Sequence, residues 1–129
     1  MIGYVLVGTN DPAKATAFYD ALFATIGIGK LFDRSSGGRV YGISMDKPFF
    51  GVVAPYDGLP ATIGNGTMVS LVMDSRNQVD IMHARAIELG GANEGAPGVR
   101  GGEGANTFYA AYFRDLDGNK LCMFRLGTA

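Results

Sequence analysis

Hydrophobic and polar positions alternate with a period of two over residues 2–8, with Ile2, Tyr4 and Leu6 on one side and Val5 and Val7 on the other. This predicts an opening strand with both faces covered. The period then changes. Ala15, Phe18, Leu22 and Ile26, with Tyr19 alongside, recur at three- and four-residue spacing, the mark of a helix with one buried face that runs to about residue 26. Asn10 or Asp11 supplies a side-chain oxygen for the free amides of its first turn. Pro12 suits an early position where no amide is needed, and Gly27 ends the helix. Three short strands follow over residues 30–34, 39–45 and 49–55, the first two joined at Gly37-Gly38, where both residues can take positive φ. Residues 56–66, with Asp57-Gly58, Pro60 and Gly64-Asn65-Gly66, read as a connector.

The pattern then starts again. Residues 67–73 read as a strand, Asp74 or Ser75 caps a helix over 77–89, and Gly90-Gly91 ends it. Asp11 matches Asp74, Phe18 matches Ile81, Ala21 matches Ala84, Ile26 matches Leu89 and Gly27 matches Gly90, an internal repeat of about sixty residues. The second copy carries a glycine-rich insertion over residues 90–106, whose first residues are expected to form a short edge strand. A hairpin over 107–126 closes it, turning at Asp115-Leu116-Asp117-Gly118-Asn119. The expected fold is α+β: a single domain over 1–129 of two repeated βαβββ modules, about 1–56 and 66–127. They are expected to form a cupped mixed sheet around a cleft, with one helix backing each module.

Charge and composition exclude some partners. Eleven basic residues are scattered among twelve acids, for a formal net charge of −1, so the clustered cations that bind nucleic acid are missing. No apolar run reaches membrane-spanning length and no basic segment followed by an apolar core opens the chain, which leads to an expectation of a cytoplasmic protein without membrane contact. The lone cysteine, Cys122, cannot form an internal disulfide and fits a reducing compartment.

The opening strand followed by Asn10-Asp11-Pro12, the helix bearing Ala17-Phe18-Tyr19-Asp20-Ala21-Leu22, the repeat near Asp74 and the closing Phe113-Arg114-Asp115-Leu116-Asp117-Gly118-Asn119-Lys120 hairpin resemble, in that order, the vicinal oxygen chelate superfamily. That superfamily includes glyoxalase I, bleomycin-resistance proteins and extradiol dioxygenases. Leu116 stands where many relatives have proline. The resemblance implies a divalent metal held by a histidine or glutamine opening each module and a glutamate closing it. The corresponding positions here are Tyr4, Phe49, Met68 and Cys122; none is histidine, glutamine or a carboxylate, phenylalanine cannot ligate, tyrosine seldom does in such a site, and the Met68 thioether is soft. The expectation is therefore a cleft that binds a small organic molecule without the divalent metal, and no cofactor. Two soft sulfurs, Met68 and Cys122, leave copper(I) as a remote alternative.

Other residues enter on their own chemistry. Tyr112 lies ten residues before Cys122, and symmetric pairing about the turn places the two across from each other on one face, with Tyr112 either a hydrogen-bonding pocket wall or an interface aromatic. Cys122 between Leu121 and Met123 reads as a small buried residue rather than a nucleophile. Arg100, within the glycine-rich segment, can hold a carboxylate or phosphate if that segment is a lid, the other reading being a plain loop. His83, on a second helix expected to pack outside the sheet and away from the cleft, reads as a solvated or half-buried structural histidine rather than a catalytic base. The ligand-binding set is thus Tyr4, Phe49, Met68, Tyr112, Cys122 and Arg100, with no metal ligand and no catalytic residue assigned. The alternative is a glyoxalase-like lyase or isomerase, or a small dioxygenase, that recruits donors such as Asp46, His83, Glu94 or Glu103. The connector Tyr56-Asp57-Gly58-Leu59-Pro60 resembles a segment packed at a subunit contact, and the family resemblance implies a homodimer.

Overall fold

A computed structural model describes residues 1–129, which divide into two compact units, Met1–Asn65 and Gly66–Ala129. The first unit contains β1 (Tyr4–Gly8), α1 (Pro12–Ala24), β2 (Gly29–Asp33), β3 (Gly38–Gly42) and β4 (Phe49–Val53). The second contains β5 (Val69–Val72), α2 (Arg76–Glu88), β6 (Ala92–Arg100), β7 (Phe108–Arg114) and β8 (Lys120–Leu126). Each unit is one open four-stranded mixed sheet. The orders are β1-β4-β3-β2 and β5-β8-β7-β6, with the first strand of each module parallel to its last.

In the first unit the helix and sheet meet through aromatic rings. Phe18, Tyr19, Leu22 and Phe23 form the buried stripe of α1. Tyr19 lies 5.1 Å from Phe50, and Phe23 lies 5.0 Å from Tyr41, both distances between ring centroids. Such pairs add about 0.5–1.5 kcal/mol each beyond the area they bury. The Tyr41 hydroxyl donates to Asp20 at 2.6 Å, and Arg39 spans Asp20 and Asp33, 2.6 Å from each. Asp11 is the N-cap and accepts from Lys14, while Asn10 instead exchanges two hydrogen bonds with the backbone of Ala61, tying the connector to its own module.

The second unit repeats the arrangement with different side chains. Val79, Met82, His83 and Ala86 face the sheet, where Ala111, Phe113, Leu121 and Met123 are fully buried. Ser75 caps α2 and accepts from Gln78, whose own side chain accepts from Asp74 N–H, a reciprocal arrangement that satisfies two amides at the helix start. His83 is more enclosed than its sequence suggests. It is 7% exposed, with Nε2 3.1 Å from both Asn93 Oδ1 and the Tyr112 carbonyl oxygen.

The closing turn is built on one carboxylate. Asp115 Oδ1 accepts from the amides of Asp117 and Asn119, Oδ2 accepts from the Asn119 side chain, and Asp115 N–H donates to the Asn119 carbonyl. Gly118 supplies the positive φ, 88°, that this path requires. Gly37 and Gly38 both have positive φ, as the hairpin between β2 and β3 predicts.

Three expectations are corrected. The helices repeat at a spacing of 64 residues, Pro12 to Arg76 and Ala24 to Glu88, so Phe18 corresponds to Met82 and not to Ile81, which is 46% exposed. The match of Gly27 to Gly90 misleads because α1 reaches its terminating glycine one residue later than α2 does. The segment 90–106 is for its longest part a nine-residue strand, β6, and not a loop. Beyond it, Glu103 pairs with Arg76 at 2.8 Å, holding the following residues against the start of α2. Finally, β1 is covered on one face only, since Tyr4 is 59% and Leu6 37% exposed.

Two outcomes follow for stability. Asp115→Ala leaves two backbone amides of a tight turn without their acceptor and is expected to cost about 2 kcal/mol in denaturant unfolding. Tyr41→Phe is expected to cost about 1 kcal/mol at neutral pH. Burial, and then the Asp20 carboxylate, raise the Tyr41 pKa well above its ordinary value of 10.0. The stability it contributes is present below that value and is lost as pH rises above it, so the wild-type advantage over Tyr41→Phe should shrink in unfolding curves taken above pH 10.

Candidate ligand-binding site

Alternation along a strand assigns every residue of the second sheet to one of two faces. Tyr109 donates to Asp80 of α2, so Tyr109, Ala111 and Phe113 point to the helix, and Phe108, Ala110 and Tyr112 point away from it. On β8 the helix-free positions are Lys120, Cys122 and Phe124; on β5, by register, Ser70. Arg100, on β6 across from Phe108, reaches back along the strand, donating to the Ala96 carbonyl at 2.7 Å.

These residues converge on Tyr112. Its register partner is Cys122, as the symmetry of the closing hairpin predicts. The Arg100 guanidinium lies 5.5 Å and the Lys120 ammonium 5.7 Å from the ring centroid. Cations at that distance are attracted by the negative face of the ring. Gly95, paired with Tyr112, makes the cluster possible, since a Cβ there would lie 2.9 Å from the ring and 3.3 Å from Arg100. Ser70 and Tyr112 flank Cys122 as its register partners on β5 and β7, their hydroxyls favouring the thiolate. Burial raises the thiol pKa despite those hydroxyls and the two nearby cations. The Tyr112 pKa is also raised, first by burial and then by Cys122, against the opposing effect of Arg100. Neither group is poised to ionise near neutrality. Further along the same face, Phe108 and Phe124 stack at 5.1 Å.

The other sequence-predicted positions fall into two groups. Tyr4 and Phe49 are register partners in the first unit, stacked at 4.9 Å and only 4° from parallel, on the face away from α1. Met68 lies one residue before β5 and is 44% exposed. The residue across from Cys122 is Ser70, two positions later, which the sequence reading missed. Its signal was the alternation of Met68, Ser70 and Val72, together with the parallel register, which a sequence alone does not give. Lys120 was missed as well, although it stands two residues before Cys122 on the same strand face. The first unit also has an open groove of about 330 Å³ lined by Leu6, Gly8, Val53, Pro55, Asp57 and Ala61. Asp57 there accepts from the Leu59 amide, so the groove is bounded by groups already satisfied.

A hard divalent cation does not fit these donors. Ser70, Cys122, Tyr112, Tyr4, Phe49 and Met68 include no carboxylate or imidazole, and no group of three or more His, Cys, Asp or Glu side chains anywhere in the structure lies close enough to hold a metal. No helix is long and apolar enough to cross a membrane.

A βαβββ module present twice, each copy an open mixed sheet with one helix on one side, defines a duplicated α+β protein. The chain belongs to the glyoxalase/bleomycin resistance protein/dioxygenase superfamily, whose family model matches residues 1–123. A solved glyoxalase/bleomycin resistance protein from Albidiferax ferrireducens T118 is 40% identical, with a TM-score of 0.86 over 97% of this chain and 98% of that one. A glyoxalase/bleomycin resistance protein/dioxygenase family enzyme from Burkholderia phytofirmans PsJN shares the fold at 22% identity, TM-score 0.70, over 96% and 97% of the two chains. So does a lactoylglutathione lyase from Agrobacterium tumefaciens, at 17% identity and TM-score 0.63 over 97% and 92%. No curated protein matches.

The buried thiol carries a direct test. At pH 8 a thiol reagent such as dithionitrobenzoate is expected to label native Cys122 at least about a hundredfold more slowly than the denatured chain, because burial both blocks access and disfavours the thiolate. Labelling at equal rates would remove Cys122 from the floor of this site.

Proposed function

We propose that the protein binds a small organic molecule on the helix-free face of its second sheet, around Tyr112, without a divalent metal. The observation that carries this reading is the set of side chains gathered there. An aromatic ring, two cations, a serine hydroxyl and a buried thiol surround one spot on a sheet face that the helix leaves free. Ligand sites combine apolar walls with a few convergent polar groups in this way. The donors suit hydrogen bonding and charge pairing, and they do not suit a hard cation.

Family membership supports the reading as far as the fold. The stacked Tyr4–Phe49 pair gives the first unit an apolar helix-free face of its own, suited to an aromatic or aliphatic surface. Two copies of the chain are proposed to associate through exposed apolar side chains, among them Tyr56 and Leu59 of the connector. We place this binding protein in the cytoplasm, in keeping with its single unpaired cysteine.

Elemental analysis of protein purified without chelator is expected to find nickel, zinc, iron and manganese each well below one equivalent, and chelator is expected to leave the melting temperature unchanged. A broad metabolite and antibiotic panel is expected to contain compounds that raise it. Stoichiometric metal together with turnover of a glutathione hemithioacetal would replace this reading with that of a lyase.

A further inference from the structure

Resting on the proposed site around Tyr112, the charge balance of the same face identifies what kind of molecule it takes. Arg76, Arg85 and Arg114 of the second unit each hold a carboxylate, at 2.8, 2.6 and 2.7 Å respectively. Arg100, Lys120 and Arg125 hold none; Arg125 lies on the helix side opposite Tyr109, while Arg100 and Lys120 both lean on the Tyr112 ring. Glu94 is committed to Arg114, whose hydrogen bond is the main cause of its lowered pKa, with Lys120 a lesser one. Arg114 is paired with Glu94 and the adjoining turn carries Asp115 and Asp117, so it is the unpaired state of Arg100 and Lys120, and not a net charge, that marks this end of the face.

Arg100 rises from β6 and Lys120 from β8, on either side of Tyr112 on β7, and the ring offsets only part of the cost of leaving each cation unpaired. An anion that reaches both gains charge-assisted hydrogen bonds. Arg100 spends one donor on Ala96, which fixes its plane and leaves other N–H groups free. All three Lys120 donors are uncommitted to a carboxylate.

The remainder of the face says what is attached to the anion. Tyr112, Ala110 and Phe108 follow one another along β7, and Cys122 and Phe124 lie beside them on β8. The strip passes from the cationic end to the stacked Phe108–Phe124 pair. Four residues separate Lys120 from Phe124, roughly 13 Å at strand spacing. We propose that the ligand is a small carboxylic acid with an aromatic or otherwise flat apolar body, its carboxylate reached by Arg100 and Lys120 from either side of Tyr112 and its body along the face toward Phe108 and Phe124.

Matched pairs of acids and their uncharged amides test this: benzoate with benzamide, phenylacetate with phenylacetamide, and 2-naphthoate with 2-naphthamide, by thermal shift and calorimetry on the whole chain. The acids are expected to bind and the amides to bind at least about tenfold more weakly. Lys120→Met and Arg100→Gln should each lower acid affinity by about tenfold while circular dichroism and the unliganded melting temperature stay within error. Gly95→Ala, which crowds both Arg100 and Tyr112, should lower it as well. Amides binding as well as acids, with both charge variants silent, would overturn the carboxylate and leave the small-molecule site standing. Sodium phosphate or sulfate alone reproducing the shift would overturn the organic body of the ligand. A broad neutral and charged panel with no binder at all would overturn the site itself, and with it this inference.

Discussion

The Asp115 carboxylate fixes the strand register on which the second unit depends. By holding the amides of Asp117 and Asn119 it closes the β7–β8 turn at one length, and that length decides which side chains stand opposite one another. Because side chains on a strand alternate, a slip of one residue would exchange the two faces entirely. With β7 held, a slip of β8 would turn Leu121 and Met123 away from α2 and bring Lys120 and Cys122 to face Val79 and Met82. The core under α2 and the cluster around Tyr112 are therefore two consequences of one turn.

The chemistry of the free face follows from what that register brings together. A thiol beside two cations would ordinarily be a reactive thiolate. Here burial outweighs the cations and the hydroxyls of Ser70 and Tyr112, so the thiol stays protonated and acts as a small packed side chain. Arg100 and Lys120 keep their charge for something else. A nucleophile would need the opposite balance, an exposed sulfur with the positive charge aimed at it.

Much of this was legible in the sequence because it rests on local pattern. The period-two and period-3.6 segments gave both helices and most strands, and the palindromic spacing about Asp115–Asn119 placed Tyr112 across from Cys122. What escaped has specific physical causes. β6 is composed of Ala92-Asn93-Glu94-Gly95-Ala96-Pro97-Gly98-Val99-Arg100, and a strand built from small residues and glycine shows no alternation, since it pairs by backbone alone. Its register shifts between Asn93 and Gly95 and between Gly95 and Gly98, so simple alternation along β6 does not fix the face of Arg100. Ser70 escaped because the parallel pairing of β5 with β8 joins residues far apart in sequence, with no hairpin to set the count. The repeat was misread by one residue because terminating glycines are conspicuous in sequence, whereas buried helix positions, which carry the true spacing of 64, are not.

That spacing also shows how the two copies have diverged. Leu6 pairs with Gly51 in the first unit where Ser70 pairs with Cys122 in the second, and Tyr4 pairs with Phe49 where Met68 precedes the strand. In the first copy a Cβ on Gly51 would lie 2.6 Å from Leu6, so the glycine is occupied by its neighbour's side chain and offers no position for a donor. In the second, a carboxylate at position 122 would stand beside Ser70, Tyr112, Arg100 and Lys120. It would be drawn into ion pairs with the two cations before it offered lone pairs to a metal. A carboxylate at position 122 would therefore neutralise this face and would not by itself create a metal centre. With no carboxylate or imidazole on it and two cations free of ion pairs, the proposed site is suited to an anion rather than to a cation.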